Sequence, residues 1–194
     1  MRQDISKKLI HFVRGETFES AFETILRIVE EGVLRGGTNA IRGDLPCVCF
    51  TEAPLAELAQ GFIDLFGGSD YTLFGFMTDK SWIHSLGGRH VIYQPNYERN
   101  LLDDKVKWRH VRYEPNADPP IDWTWQREWR LQTAELPISP EHFALLAPDR
   151  AWADRIANAI RESRYQMYSQ IMDELLATQY AELECWQVTT FSDD

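Results

Sequence analysis

The stretch Asp122–Thr133, DWTWQREWRLQT, restricts what this chain can fold into more than any other part of it. Read as a strand with alternating side chains, it sorts into two faces. Trp123, Trp125, Trp129 and Leu131 fall on one face, interrupted by Arg127. Gln126, Glu128, Arg130 and Gln132 fall on the other. Indoles bury a large apolar area, so the tryptophan face predicts a strand pinned to a core, with Trp125 and Trp129 inside. The polar face admits two readings. A half-buried antiparallel strand turns such a face to water, whereas a carboxylate between an amide and a guanidinium also suits a built polar pocket.

The rest of the chain offers material for one domain over residues 1–194, a length that suits a single packed core. Hydrophobic residues make up 44% and include seven tryptophans, which excludes a disordered chain. The formal net charge of -10 argues against a broad electrostatic grip on a nucleic-acid backbone. A local basic cleft built from Arg109, Arg112, Arg127 and Arg130 stays open. Cys47 and Cys49 alternate on one strand face, and three cysteines without a repeated CxxC point to reduced thiols and no zinc site. No apolar leader region and no apolar run of membrane-spanning length is present, so a cytoplasmic protein is expected.

Taken in order, the chain reads as α+β. Strands are predicted over Leu9–Val13, Cys47–Phe50, Tyr71–Met77, His90–Tyr93, Trp108–Tyr113, Phe143–Ala147 and Leu183–Phe191. Phe18, Ala21, Phe22, Ile25, Leu26 and Val29 recur at helical spacing between Thr17 and Glu31, with Gly32 as the stop. Ala53–Phe66 reads as a helix, Asp79 as the cap of a short helix through Leu86, and Asp149–Tyr180 as one or two helices. The segment VLRGGTNAIRGD reads as a Gly-rich loop able to lie over a ligand.

No phosphate-binding loop, dinucleotide glycine fingerprint, GxSxG elbow or HExxH is present. Cys47 and Cys49 lie in an apolar strand and read as small core residues rather than nucleophiles. His84 and His90 lack metal-ligand spacing. Three positions stand out together: His11 inside the first apolar strand, Thr51-Glu52 at the end of the Cys47 strand, and Glu128. A lone histidine in a core strand is most often structural; the order of the three is what draws notice.

That order, His, then a hydroxyl residue, then Glu on three separated strands, resembles the ADP-ribosyltransferase superfamily. Gln126-Arg127-Glu128 is similar to the QxE form of its late-strand motif. LIHFVRG followed by ILRIVEEGVL is similar to the opening of DarT-like enzymes. The pattern IHF, CFTEAPL, VIY and EWR resembles bacterial proteins of the DUF2971 and AbiGi-like abortive-infection type, associated with phage defence. This likeness covers most of residues 9–131. Two departures stand out: Phe50-Thr51 occupies the place of the tyrosine that normally accompanies His, and QxE normally accompanies Arg.

The resemblance implies a split mixed or antiparallel sheet with flanking helices and NAD as substrate, without a metal. His11 would contact the adenosine-side ribose and Thr51 the nicotinamide ribose. Tyr71, Phe74 or Tyr93 would stack on nicotinamide, and Arg130 would join the cofactor-binding set. Glu128 would stabilise the oxocarbenium-like charge of the breaking glycosidic bond, and Gln126 would orient the acceptor. The acceptor is left open as protein, nucleic acid or water, and a cognate toxin or antitoxin is an implied partner. The rival reading is a non-enzymatic, antitoxin-like or partner-binding module. A metal-dependent nuclease is a weaker third, because no paired-carboxylate spacing supports it.

Overall fold

The computed structural model describes residues 5–39, 41–53, 71–183 and 185–191. The side chain of Tyr71 and all but the first residue of the helix expected over Ala53–Phe66 lie outside the described residues. The fold is mixed α+β, with a large mixed sheet and several helices. It divides into two compact units.

One unit comprises Phe12–Gly32, Leu55–Met77 and Ile138–Asp194. Helix α1 (Phe18–Glu31) begins where the Thr17 hydroxyl accepts from the Ser20 N–H and the Ser20 hydroxyl accepts from the Thr17 N–H. This reciprocal cap satisfies two donors that a helix start otherwise leaves open. Gly32, at φ 67°, closes the helix in a conformation that side chains with a Cβ resist. The strand order here is β11 (Val188–Thr190), β10 (Phe143–Ala147), β4 (Tyr71–Asp79), with β10 and β11 parallel. Helix α3 (Arg150–Tyr168) starts from the Asp149 side chain, which accepts from the Trp152 N–H; α4 (Glu174–Leu183) follows. Phe18, Phe22 and Phe74 pack around Trp152. Phe74 is thus a core residue. No helix among the described residues is long and apolar enough to cross a membrane.

The other unit comprises Met1–His11, Val33–Pro54 and Thr78–Pro137. Its strand order is β1 (Lys8–Arg14), β3 (Cys47–Thr51), β8 (Glu128–Gln132), β5 (Arg89–His90), all antiparallel where the pairs are defined. Two small sheets join it: β2 (Val33–Arg35) with β9 (Glu135–Pro137), and β6 (Ile92–Gln94) parallel to β7 (His110–Arg112). Helix α2 is Lys80–Ser85.

Several expectations are corrected here. The Asp122–Thr133 strand is only Glu128–Gln132. The Asp122 carboxylate accepts from the Thr124 N–H and hydroxyl, turning the chain into a 3-10 turn over Thr124–Gln126. Arg127 then takes φ 45°, which breaks the alternation before Glu128. Trp123 is exposed and Trp125 half-buried as a result. The expected His90–Tyr93 strand is two strands in different sheets: His90 pairs with Trp129, Ile92 with His110. Trp108 lies in a 3-10 turn, so that strand begins at His110. Val33–Arg35 is a strand rather than loop. Asp79 precedes α2 without capping it, because its carboxylate pairs with Lys8 at 2.9 Å. The last strand is only Val188–Thr190.

Gly36 shows how tightly the segment before β9 approaches the segment after β2. A Cβ at Gly36 would lie 2.0 Å from the Thr133 carbonyl oxygen, while one at Gly37 would meet nothing within 4 Å. Gly36→Ala is therefore expected to cost about 1–3 kcal/mol as an overpacking change. Gly37→Ala is expected to be neutral or stabilising by up to about 1 kcal/mol. Urea unfolding of the two variants distinguishes them, and equal midpoints would refute the close approach.

Candidate functional site

The polar face of β8 is built by register. Thr51 lies directly opposite Glu128, and Cys49 opposite Arg130. Residues paired across antiparallel strands share a face, so these four side chains lie together, flanked by Cys47 and Gln132. The face is buried at Arg130 and Cys47, half-buried at Glu128, Thr51 and Cys49, and exposed at Gln132. Arg130 is 4% exposed. Its Nε donates to Glu128 Oε1 at 2.7 Å and its second terminal nitrogen to Oε2 at 3.4 Å. The first terminal nitrogen donates to the Trp108 carbonyl at 2.6 Å and the His110 carbonyl at 3.3 Å. Burial disfavours the guanidinium charge, yet the Glu128 carboxylate outweighs it and raises the Arg130 pKa.

Glu128 is fixed from several sides. Its backbone N–H donates to the Tyr93 hydroxyl at 3.1 Å, and its carbonyl accepts from the Val91 N–H at 3.0 Å. Burial, with a smaller contribution from the Glu128 charge, pushes the Tyr93 phenol up to about 12. The Cys49 thiol is pushed up to about 12 by burial first and the Glu128 charge second, and the Cys47 thiol to about 11, chiefly by burial. Both thiols are therefore protonated and poor nucleophiles. Thr51 is committed to the chain itself: its hydroxyl donates to the Gln126 carbonyl at 2.5 Å and accepts from the Ala53 N–H at 3.1 Å. It anchors the turn that delivers Glu128 into β8.

His11 is placed differently. The register pairs Ile10, not His11, with Thr51. The His11 ring packs edge-on against Phe50 at 5.9 Å, and its Nδ1 bonds the Cys49 carbonyl oxygen at 2.8 Å. Strand alternation thus sets His11 with Phe50 and Trp129, on the face opposite Thr51 and Glu128. Tyr93 and Arg130 belong to the Glu128 neighbourhood, and Gln126 lies in the turn before it. Tyr71 opens β4. Three of the four arginines of the expected basic cleft have separate partners: Arg112 pairs with Glu114, Arg130 with Glu128, and Arg109 Nε donates to the His90 carbonyl at 2.7 Å.

The opposite face carries a second polar cluster that the sequence alone did not assemble. Glu52, only 5% exposed, accepts from Lys80 Nζ at 2.7 Å and from Trp129 Nε1 at 2.8 Å. His90 Nε2 lies 3.4 Å from the same carboxylate, and its ring lies 4.2 Å from the Trp129 ring. Burial holds the His90 pKa below the usual imidazole value. The signal is the Thr51-Glu52 pair: alternation sends one of two adjacent polar residues to each face.

No known protein family, curated protein or solved structure matches this chain.

Trp129 carries two separable roles, apolar filling and hydrogen-bond donation to a buried carboxylate. Trp129→Ala is expected to cost about 3–5 kcal/mol. Trp129→Phe keeps a ring but leaves one Glu52 oxygen short of a donor, and is expected to cost about 1–3 kcal/mol. Denaturant unfolding of both variants gives the comparison; a Trp129→Phe protein as stable as the wild type would show that the indole N–H contributes nothing.

Proposed function

We propose that the chain is an ADP-ribosyltransferase-like protein that uses NAD, with Glu128 as its catalytic carboxylate and a role in bacterial phage defence as toxin or effector. The observation that carries this reading is the Thr51–Glu128 pairing across β3 and β8, with Gln126 two residues before Glu128 and Tyr93 against its backbone. The carboxylate is held unequally. Oε1 is bound by Arg130 at 2.7 Å, whereas the contact to Oε2 is long at 3.4 Å. Oε2 therefore keeps acceptor capacity for a ribose hydroxyl.

In this reading the bond between the ribose C1′ and the nicotinamide nitrogen breaks, and nicotinamide leaves with the electron pair. Glu128 stabilises the positive charge left on the ribose, the acceptor's oxygen or nitrogen bonds to C1′, and its proton passes to solvent. Arg130 fixes the carboxylate in place, which avoids reorganisation as charge develops. His11 is a positioning residue: bonded to the Cys49 carbonyl, it holds β1 against β3. The ADP-ribosyltransferase type of split sheet is part of the proposal, supported by the order of the three strands. The bidentate grip of Arg130 favours one alternative, a module that binds NAD or a protein partner without turnover, in which the ion pair is purely structural.

Incubating wild type, Glu128→Gln and Glu128→Asp with labelled NAD and a bacterial lysate separates the two. Glu128→Gln removes about 3 kcal/mol of charge stabilisation, roughly a hundredfold or more in rate. It also leaves the buried Arg130 charge uncompensated, so unfolding midpoints are recorded beside turnover. Glu128→Asp keeps that charge while withdrawing the carboxylate from the ribose. Nicotinamide release by the wild type that falls at least about a hundredfold in both variants, with NAD binding retained in the folded Glu128→Asp protein, supports the enzyme reading. Equal release by all three removes Glu128 from the mechanism; NAD binding without any release leaves the binding module.

A further inference from the structure

α4 (Glu174–Leu183) is inverted for a helix that covers a core. It packs on α3, and among the described side chains it buries Ala177 and Ala181. Leu175, Leu176 and Tyr180 are exposed instead, Leu175 at 69%. Met167 in the last turn of α3 and Ile171 in the connection, 75% exposed, stand open immediately before it. A surface helix normally buries its leucines and turns polar residues to water. With about 3.6 residues per turn, Leu175, Leu176 and Tyr180 share one arc of α4, opposite the two alanines. The alanines let α4 lie close on α3, and the Tyr168 and Tyr180 rings, 5.8 Å apart, fasten it there. Large apolar side chains exposed singly are ordinary; gathered on one helix and the turn before it, they mark a docking face.

Charge selects the occupant. From Tyr165 to Asp194 the chain has no lysine, arginine or histidine, and it carries Asp173, Glu174, Glu182, Glu184, Asp193 and Asp194. The cations nearest in sequence, Arg161 and Arg164, precede Met167 on α3. The Asp173 carboxylate accepts from the Leu176 N–H at 3.0 Å, which fixes it at the start of α4. Glu182, seven residues after Leu175, falls beside Leu175 on the helix surface. A second copy laid on this face brings acid against acid, in a chain of net charge -10. An anionic lipid surface is repelled likewise. A protein segment with apolar side chains between lysines or arginines satisfies the leucines and the carboxylates together.

We propose that the exposed face of α4, with Met167 and Ile171 before it, docks a basic amphipathic helix of a partner protein. The apolar stripe of that helix lies on Ile171, Leu175, Leu176 and Tyr180, and its flanking cations meet Asp173, Glu174 and Glu182. Glu128 belongs to the other unit, so this proposal and the catalytic one fail independently.

The test uses the full chain and three labelled synthetic peptides of equal length, followed by fluorescence anisotropy. One is a leucine–lysine peptide with helical spacing, the second its leucine–glutamate counterpart, and the third a glycine–lysine peptide of the same charge as the first. The leucine–lysine peptide is expected to bind, and at least about tenfold more weakly to an Ile171→Ser, Leu175→Ser double variant. Both side chains are exposed, so the unfolding midpoint of that variant is expected to match the wild type. A Glu174→Gln, Glu182→Gln variant is expected to bind severalfold more weakly and with a flatter salt dependence. Equal binding of the leucine–glutamate or the glycine–lysine peptide by the wild type overturns the proposal without recourse to any variant. So does absence of leucine–lysine binding, or unchanged affinity in the serine variant. A dimer of the wild type in sedimentation, lost in the serine variant, assigns the face to a second copy and overturns it as well.

Discussion

Burying the Arg130 guanidinium is the constraint on which the unit of Met1–His11, Val33–Pro54 and Thr78–Pro137 depends. A buried charge is tolerated only when its donors are met, because desolvation costs several kcal/mol per ion. Here Glu128, two residues earlier on the same strand, supplies the counter-charge, and the Trp108 and His110 carbonyls supply the remaining acceptors. Those carbonyls come from the 3-10 turn Lys107–Arg109 and from β7, which pairs with β6. One side chain thereby ties the central sheet to the small parallel sheet, and in doing so it places Tyr93 against the Glu128 backbone. The pair need not add stability relative to a well-packed apolar pair; what it does is dictate which backbone segments must sit beside β8.

Much of the frame was legible in the sequence, for identifiable reasons. α1 was bounded correctly because its apolar spacing, the Thr17 cap and the Gly32 stop all point the same way. Phe143–Ala147 is a strand as expected, since a short apolar run bounded by turn residues leaves little choice. Asp122–Thr133 was overextended because tryptophans at alternate positions mimic a strand face. The competing signal was Asp122 two residues before Thr124, an Asx turn that redirects the chain locally. Periodicity over a long window outvoted a two-residue hydrogen bond, and the hydrogen bond prevailed.

The site was legible in part. The pairing of Thr51 with Glu128 follows from two strands whose existence the sequence showed, but the register between them depends on turns and partners far away in the chain. That register decides that Glu52, not Thr51, keeps company with Trp129, and the β1–β3 register decides that His11 lies with Phe50. Alternation within one strand can be read from the sequence; the phase between strands cannot.

β8 has no solvent-facing side over Trp129–Leu131: all three residues are buried, an indole and an aliphatic chain one way and a guanidinium the other. A shift of one residue against β3 would turn Arg130 toward Phe50 and Trp129 toward the thiol of Cys49. The guanidinium would then face an aromatic layer with no acceptor, and the indole N–H would lose the Glu52 carboxylate. Sliding by two residues restores the alternation but separates Arg130 from the Trp108 and His110 carbonyls. Neighbouring alignments of the two strands are therefore all penalised by several kcal/mol, so the β3–β8 pairing proofreads itself during folding.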